Sequence, residues 1–130
     1  MKTLIVEDEY AARAMLEFFM GNHGKVDISE NGKTAISLFE KSLKSNSRYD
    51  LICLDIKLPD TDGHSILTSI KKMEEKYNIP RELRSVIFMT SALEDPKTVS
   101  KAFYNLCDEY LSKPVKKDEL DRLLSTYHLI

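Results

Sequence analysis

The sequence predicts an α/β protein built on one parallel five-stranded sheet with helices packed on both faces. Three observations carry this. Short apolar runs of strand length recur five times, a stretch of helical periodicity follows each, and acidic residues stand directly at the ends of the first and third runs.

Thr3-Leu4-Ile5-Val6 is rich in β-branched residues and reads as a strand buried on both faces. Tyr10 to Met20 follows, with Ala11, Met15, Phe18 and Phe19 at helical spacing, and Gly21 stops it. Lys25 to Ser29 is a weaker strand. Asn31 is placed to cap a helix from about Gly32 to Leu43, with Ala35, Ile36, Leu38, Phe39 and Leu43 on its apolar face. Leu51-Ile52-Cys53-Leu54 is a central strand, and the turn Pro59-Asp60-Thr61-Asp62-Gly63 leads into a helix to about Tyr77. The charged stretch from Lys71 to Arg84, with Lys71, Lys72, Glu74, Glu75 and Lys76, reads as a solvated helix extension plus loop, with an added partner surface as the alternative. Ser85 to Thr90 is another buried strand. Asp95-Pro96 is an N-cap and first helical position for a fourth helix to about Leu106, Tyr110-Leu111-Ser112 is the fifth strand, and Asp118 to Tyr127 is the fifth helix. The strand order 2-1-3-4-5 comes from the precedent of doubly wound sheets rather than from the residues.

The bulk properties exclude several classes. A chain of 130 residues suits one domain, residues 1–130. A net charge of -2 gives no electrostatic reason to expect direct nucleic-acid binding. No apolar run approaches the roughly 20 residues of a membrane span, and the start lacks a signal peptide's apolar region, so the expected location is the cytoplasm. In that reducing compartment Cys53 and Cys107 read as small buried hydrophobes rather than a disulfide, and no CxxC pair suggests zinc. His23, His64 and His128 are scattered and receive no role.

Ligands of such sheets bind outside the carboxyl ends of the strands. Glu7 and Asp8 follow the first strand and Asp55 follows the third, which the expected order makes neighbours. Taken singly, each acid could be a solvated residue or a cap, Asp8 for the helix near Tyr10. Together they would repel strongly unless protonated or bridged by a cation, and carboxylate oxygens suit Mg²⁺. Lys113, before Pro114, ends the fifth strand, and Thr90-Ser91 ends the fourth. An ammonium and a hydroxyl beside a metal-bound carboxylate are what phosphoryl transfer needs.

With these residues in view, the chain resembles the receiver domain of two-component response regulators. The resemblance rests on Val6-Glu7-Asp8-Glu9, on Leu54-Asp55-Ile56-Lys57-Leu58-Pro59-Asp60-Thr61-Asp62-Gly63, on Thr90-Ser91-Ala92 and on Tyr110-Leu111-Ser112-Lys113-Pro114, in the family's order along the whole chain. It implies a flavodoxin-like (βα)5 three-layer sandwich. It also implies that Asp55 takes a phosphoryl group from a sensor histidine kinase or phosphotransfer protein. Asp8, Asp55 and the backbone carbonyl of Lys57 would bind Mg²⁺ directly, and Glu7 through water. Lys113 would pair with the phosphoryl oxygens, with the Lys113-Pro114 bond cis. Tyr110 would change rotamer, its alternative role being half-exposed packing. The first acid is Glu7 where aspartate is commoner. For the hydroxyl, the family pattern and ungapped counting back from Lys113 select Ser91, whereas Thr90 would require a one-residue insertion. The resemblance further implies a downstream protein target, or a second copy, on the face made by the fourth helix, fifth strand and fifth helix.

The same residues leave rivals. A Mg-dependent phosphatase with an aspartyl-phosphate intermediate usually carries a second acid two residues after the nucleophile, where Lys57 stands here, and a substrate-covering cap. A flavodoxin-like electron carrier would need a flavin-phosphate loop, and a degenerate receiver would only bind partners. The expectation is a switch rather than an enzyme with turnover. With no output domain after the fifth helix, it would act by contact alone or be the receiver part of a larger transcription or effector regulator.

Overall fold

A computed structural model describes residues 1–92 and 106–130 of the chain. The order is β1 (Lys2–Val6), α1 (Tyr10–Gly21), β2 (Lys25–Ser29), α2 (Gly32–Lys44), β3 (Leu51–Asp55), α3 (Gly63–Lys76), a 3₁₀ turn (Arg81–Leu83), β4 (Val86–Ser91), β5 (Glu109–Ser112) and α4 (Lys117–Thr126). The five strands form one parallel sheet in the order β2-β1-β3-β4-β5, as expected. The helix expected from Asp95 lies outside the described residues, apart from Leu106, which stands in a turn.

Strand alternation divides the core into two layers. Leu4, Val6, Ile52, Leu54, Ile87 and Met89 face the layer that contains Phe39 of α2 and Ile66, Leu67 and Ile70 of α3. Ile5, Leu51, Cys53 and Phe88 face Leu16 and Met20 of α1 and Leu120, Leu123 and Leu124 of α4. Every residue of β3 is buried, because this middle strand is covered on both sides. Each fully buried Leu or Ile contributes about 1.5–3 kcal/mol, so the two layers hold the sheet between their helices. Cys53 and Cys107 are both unpaired.

Caps fall where the turn chemistry predicts. The Asn31 side chain accepts from the Thr34 amide at 2.8 Å, and that of Asp62 from Ser65 at 2.8 Å. Asp8 is not the cap of α1: Glu9 holds that position, with no side-chain cap bond. The charged run at the end of α3 needs a correction. Glu74 is buried rather than solvated, since the spacing Ile66, Ile70, Glu74 puts it on the inward stripe of the helix. Its Oε2 accepts from the Ser85 amide at 2.9 Å, fixing the entry to β4.

Candidate acidic phosphoacceptor site

β1 and β3 are neighbours in register, Val6 opposite Leu54, so their carboxyl ends deliver side chains to one place. Glu7, Asp8 and Asp55 each place a carboxylate oxygen within 4.8 Å of the others. Glu7 is 1% exposed and Asp55 5%, whereas Asp8 is open to solvent. β5 brings Lys113 to the same point: its Nζ stands 3.0 Å from Asp55 Oδ2 and 2.5 Å from Glu7 Oε1. The Lys113 amide donates to the Ser91 carbonyl at 2.7 Å, and the Lys113-Pro114 bond is cis.

Electrostatics make this a strained group of charges. Burial, reinforced by the Asp55 carboxylate alongside, pushes the Glu7 carboxyl up to about 7 despite the opposing pull of Lys113. For Lys113 burial works to lower the ammonium, but Glu7 and Asp55 outweigh it and hold it above its ordinary value. Three carboxylates against one ammonium leave two negative charges when all are ionised, the complement of a divalent cation. Glu7 Oε1 is also buried without a partner in hydrogen-bonding geometry, the Lys113 contact being a close ion pair only. An all-oxygen donor set, partly buried and partly open to water, fits Mg²⁺.

Lys57 is exposed on the β3–α3 loop, its amide donating to Asp55 Oδ1 at 3.3 Å. Thr90 pairs in register with Asp55, is buried, and lines a cavity of about 520 Å³ with Glu7, Lys113, Met15 and Leu16. Ser91 is half-buried at the end of β4, its hydroxyl donating to the Ala92 carbonyl at 2.8 Å. Alternation puts Ser91 on the sheet face of Met89, whose register partner is Tyr110. Tyr110 is half-buried and packs on the α2–α3 core layer.

Three contributors escaped the sequence reading. The Arg13 guanidinium donates to the carbonyls of Glu7 and Asp8 at 3.3 and 3.2 Å and pairs with Glu30 at 3.1 Å. Asp60 accepts from the amides of Gly32 and Lys33 at 2.8 and 3.0 Å. Gly63 donates to the Ile56 carbonyl at 2.6 Å, and a Cβ there would come within 2.4 Å of the Asp55 carbonyl oxygen. Arg13 and Asp60 act across the fold, which no local pattern reveals; Gly63 directly follows a turn and could have been flagged.

A parallel doubly wound sheet with paired strand-end acids facing a lysine is the arrangement of an aspartate-centred signalling domain. The chain belongs to the response regulator receiver domain family, whose model matches residues 3–125, and so to two-component signalling. It is 32% identical over 125 residues to the probable methanogenesis regulatory protein FilR2 of Methanothrix harundinacea, covering 92% of this chain and 76% of that protein. It is 31% identical to the hybrid signal transduction histidine kinase L of Dictyostelium discoideum, covering 97% of this chain and 7% of that one. The chain spans about half or less of the length of the first three of its curated relatives. The CheY-like receiver domain of Methylobacillus flagellatus superposes with a TM-score of 0.73 at 28% identity, covering 97% of each chain. The receiver domain of the Saccharomyces cerevisiae regulator Ssk1, solved with the phosphotransfer protein Ypd1, shares the fold with a TM-score of 0.79 at 23% identity, covering 98% of this chain and 88% of that one.

Proposed function

We propose that this receiver is a switch in which the Asp55 carboxylate accepts a phosphoryl group from the phosphohistidine of a sensor kinase or phosphotransfer protein. An Asp55 oxygen attacks phosphorus, the phosphorus–nitrogen bond breaks, and the histidine leaves with its electron pair. The observation that carries this reading is the Asp55 carboxylate held by Lys113 at 3.0 Å inside a group of three converging acids.

Mg²⁺, bound by Asp8, Asp55 and the Lys57 carbonyl with Glu7 through water, would neutralise the oxygens of the incoming phosphoryl group. Lys113 supplies the matching positive charge from the protein itself and exchanges its contact with Asp55 for one with a phosphoryl oxygen. Ser91 releases the Ala92 carbonyl and donates to another of those oxygens. Its place on the same sheet face as Tyr110 supports that choice over Thr90, whose shared face with Asp55 and Lys113 is the argument on the other side.

Phosphorylation adds roughly -1.5 to -2 charges at the sheet's carboxyl end. Tyr110 then turns inward as Ser91 moves, and the surface around β5 and α4 changes for a downstream protein target or a second copy of the chain. The chain is a switch that acts only on its own phosphate. No described helix is long and apolar enough to cross a membrane, and two unpaired cysteines suit the reducing cytoplasm we assign. The test is an Asp55→Asn variant incubated with radiolabelled acetyl phosphate and Mg²⁺. Loss of label supports the assignment, and labelling equal to wild type refutes it.

A further inference from the structure

The three loops at the carboxyl edge of β1, β2 and β3 are fastened to one another by side chains that bond to backbone groups and to Glu30 rather than to the carboxylates of the acidic group. Arg13 holds the β1–α1 loop by the carbonyls of Glu7 and Asp8 and reaches Glu30 in the β2–α2 loop at 3.1 Å. One residue later Asn31 caps α2. The next two amides, Gly32 and Lys33, donate to Oδ1 and Oδ2 of Asp60, at the tip of the β3–α3 loop. That loop starts at Asp55 and carries Lys57, and it is pinned at its far side by the Lys57–Asp62 bridge and the Gly63–Ile56 hydrogen bond.

The fit around this clamp is close. A Cβ on Gly32 would meet the Thr61 methyl at 2.3 Å and Ile66 Cδ1 at 2.8 Å, so the loop tip lies directly against the start of α2. The two bonds from α2 hold the Asp60 carboxyl below its ordinary value, as a carboxylate on helix N-terminal amides should be. Asp60 is therefore ionised across the physiological range, and its hold does not lapse near neutrality.

We propose that Asp60 is a positioning residue for the cation site: by tying the β3–α3 loop to α2 it sets where the Lys57 carbonyl stands relative to Glu7, Asp8 and Asp55. This rests on the cation site proposed above. Its reason is geometric. Mg²⁺ tolerates little departure from octahedral oxygen placement, and two of the contributing loops, one with the acids of β1 and one with Lys57, are linked through Arg13, Glu30 and Asp60. Groups that orient ligands without touching the metal typically change affinity by about 10–100-fold when removed. Asp60 is exposed, which puts its effect at the lower end.

The experiment is calorimetric titration of the whole chain with Mg²⁺, alongside thermal unfolding without metal, for wild type, Asp60→Ala and Asp60→Asn. The expected result is about tenfold weaker binding in Asp60→Ala, with most of the affinity restored in Asp60→Asn, whose amide oxygen still accepts from α2. An Asp60→Ala protein with a lower metal-free midpoint but wild-type Mg²⁺ affinity would make the clamp structural only and overturn the inference. Wild-type protein that binds no Mg²⁺ would instead remove the cation site itself, and the inference with it. Should Asp60→Ala fail to fold, Asp60→Leu, which likewise has no side-chain oxygen to accept from Gly32 and Lys33, decides in its place: unchanged Mg²⁺ affinity with a lowered unfolding midpoint overturns the proposal.

Discussion

Gly63 packs directly against Asp55: the space a side chain would need there is taken by the Asp55 carbonyl oxygen, 2.4 Å from an ideal Cβ. The first residue of α3 and the last of β3 are thereby locked together, which fixes the backbone from which the Asp55 carboxylate reaches Lys113. Gly63→Ala forces β3 and α3 apart. The expected loss is about 1–3 kcal/mol of stability, the usual cost of overpacking, with weaker Mg²⁺ binding in the folded fraction. Urea unfolding and Mg²⁺ titration of the variant check both.

Cation binding at the proposed site should depend on pH through Glu7. Its carboxyl is pushed up to about 7 by burial and by Asp55. A raised acid stabilises the folded state most at low pH. That contribution is complete below the unfolded value of about 4.5 and is lost as pH rises through about 7, so metal-free protein should become less stable across that window. Mg²⁺ must displace the proton, so its affinity should strengthen from pH 6 to pH 8 and flatten in Glu7→Gln. Titrations at the two pH values decide this.

Glu74 is a second buried acid, remote from the site. Burial raises its carboxyl, with the Ser85 amide, Lys71 and Arg84 opposing and Asp108 adding to the rise. By the same sign, its share of stability is fullest at acid pH and declines as pH rises above its unfolded value. Glu74→Gln keeps an acceptor for Ser85 and removes that decline. Glu74→Leu leaves the Ser85 amide unpaired and costs about 1–3 kcal/mol. Thermal unfolding at several pH values separates the two variants.

Thr90 and Ser91 stand on opposite faces of β4, so substitution can separate them. Ser91→Ala should take up phosphate on Asp55 but lose most of the change at Tyr110, because the hydroxyl that follows the phosphate is gone. Thr90→Val, which swaps a buried hydroxyl for a methyl on the cavity side, should retain that change. Tyrosine fluorescence before and after phosphorylation tells them apart. A silent Thr90→Val beside a responsive Ser91→Ala would assign the hydroxyl to Thr90.

Most of the architecture was readable because each strand is an uninterrupted apolar run and each helix keeps one face inward. Asp55 is the last residue of β3 rather than the first beyond it, since pairing with β4 extends to Asp55 opposite Thr90. Glu74 was misread from its charged neighbours, although its four-residue spacing from Ile70 placed it on the buried stripe. Convergence of Glu7, Asp8 and Asp55 was legible because strand ends fix it. Arg13 and Asp60 were not, because each bonds to backbone groups of elements whose proximity only the folded sheet creates.

The most direct test of the central claim is the intact mass of wild-type protein after acetyl phosphate, with and without Mg²⁺, followed by mapping of the modified peptide. One added phosphoryl group on Asp55, formed only with Mg²⁺, is the predicted result. No mass change, or modification elsewhere in the chain, would contradict it.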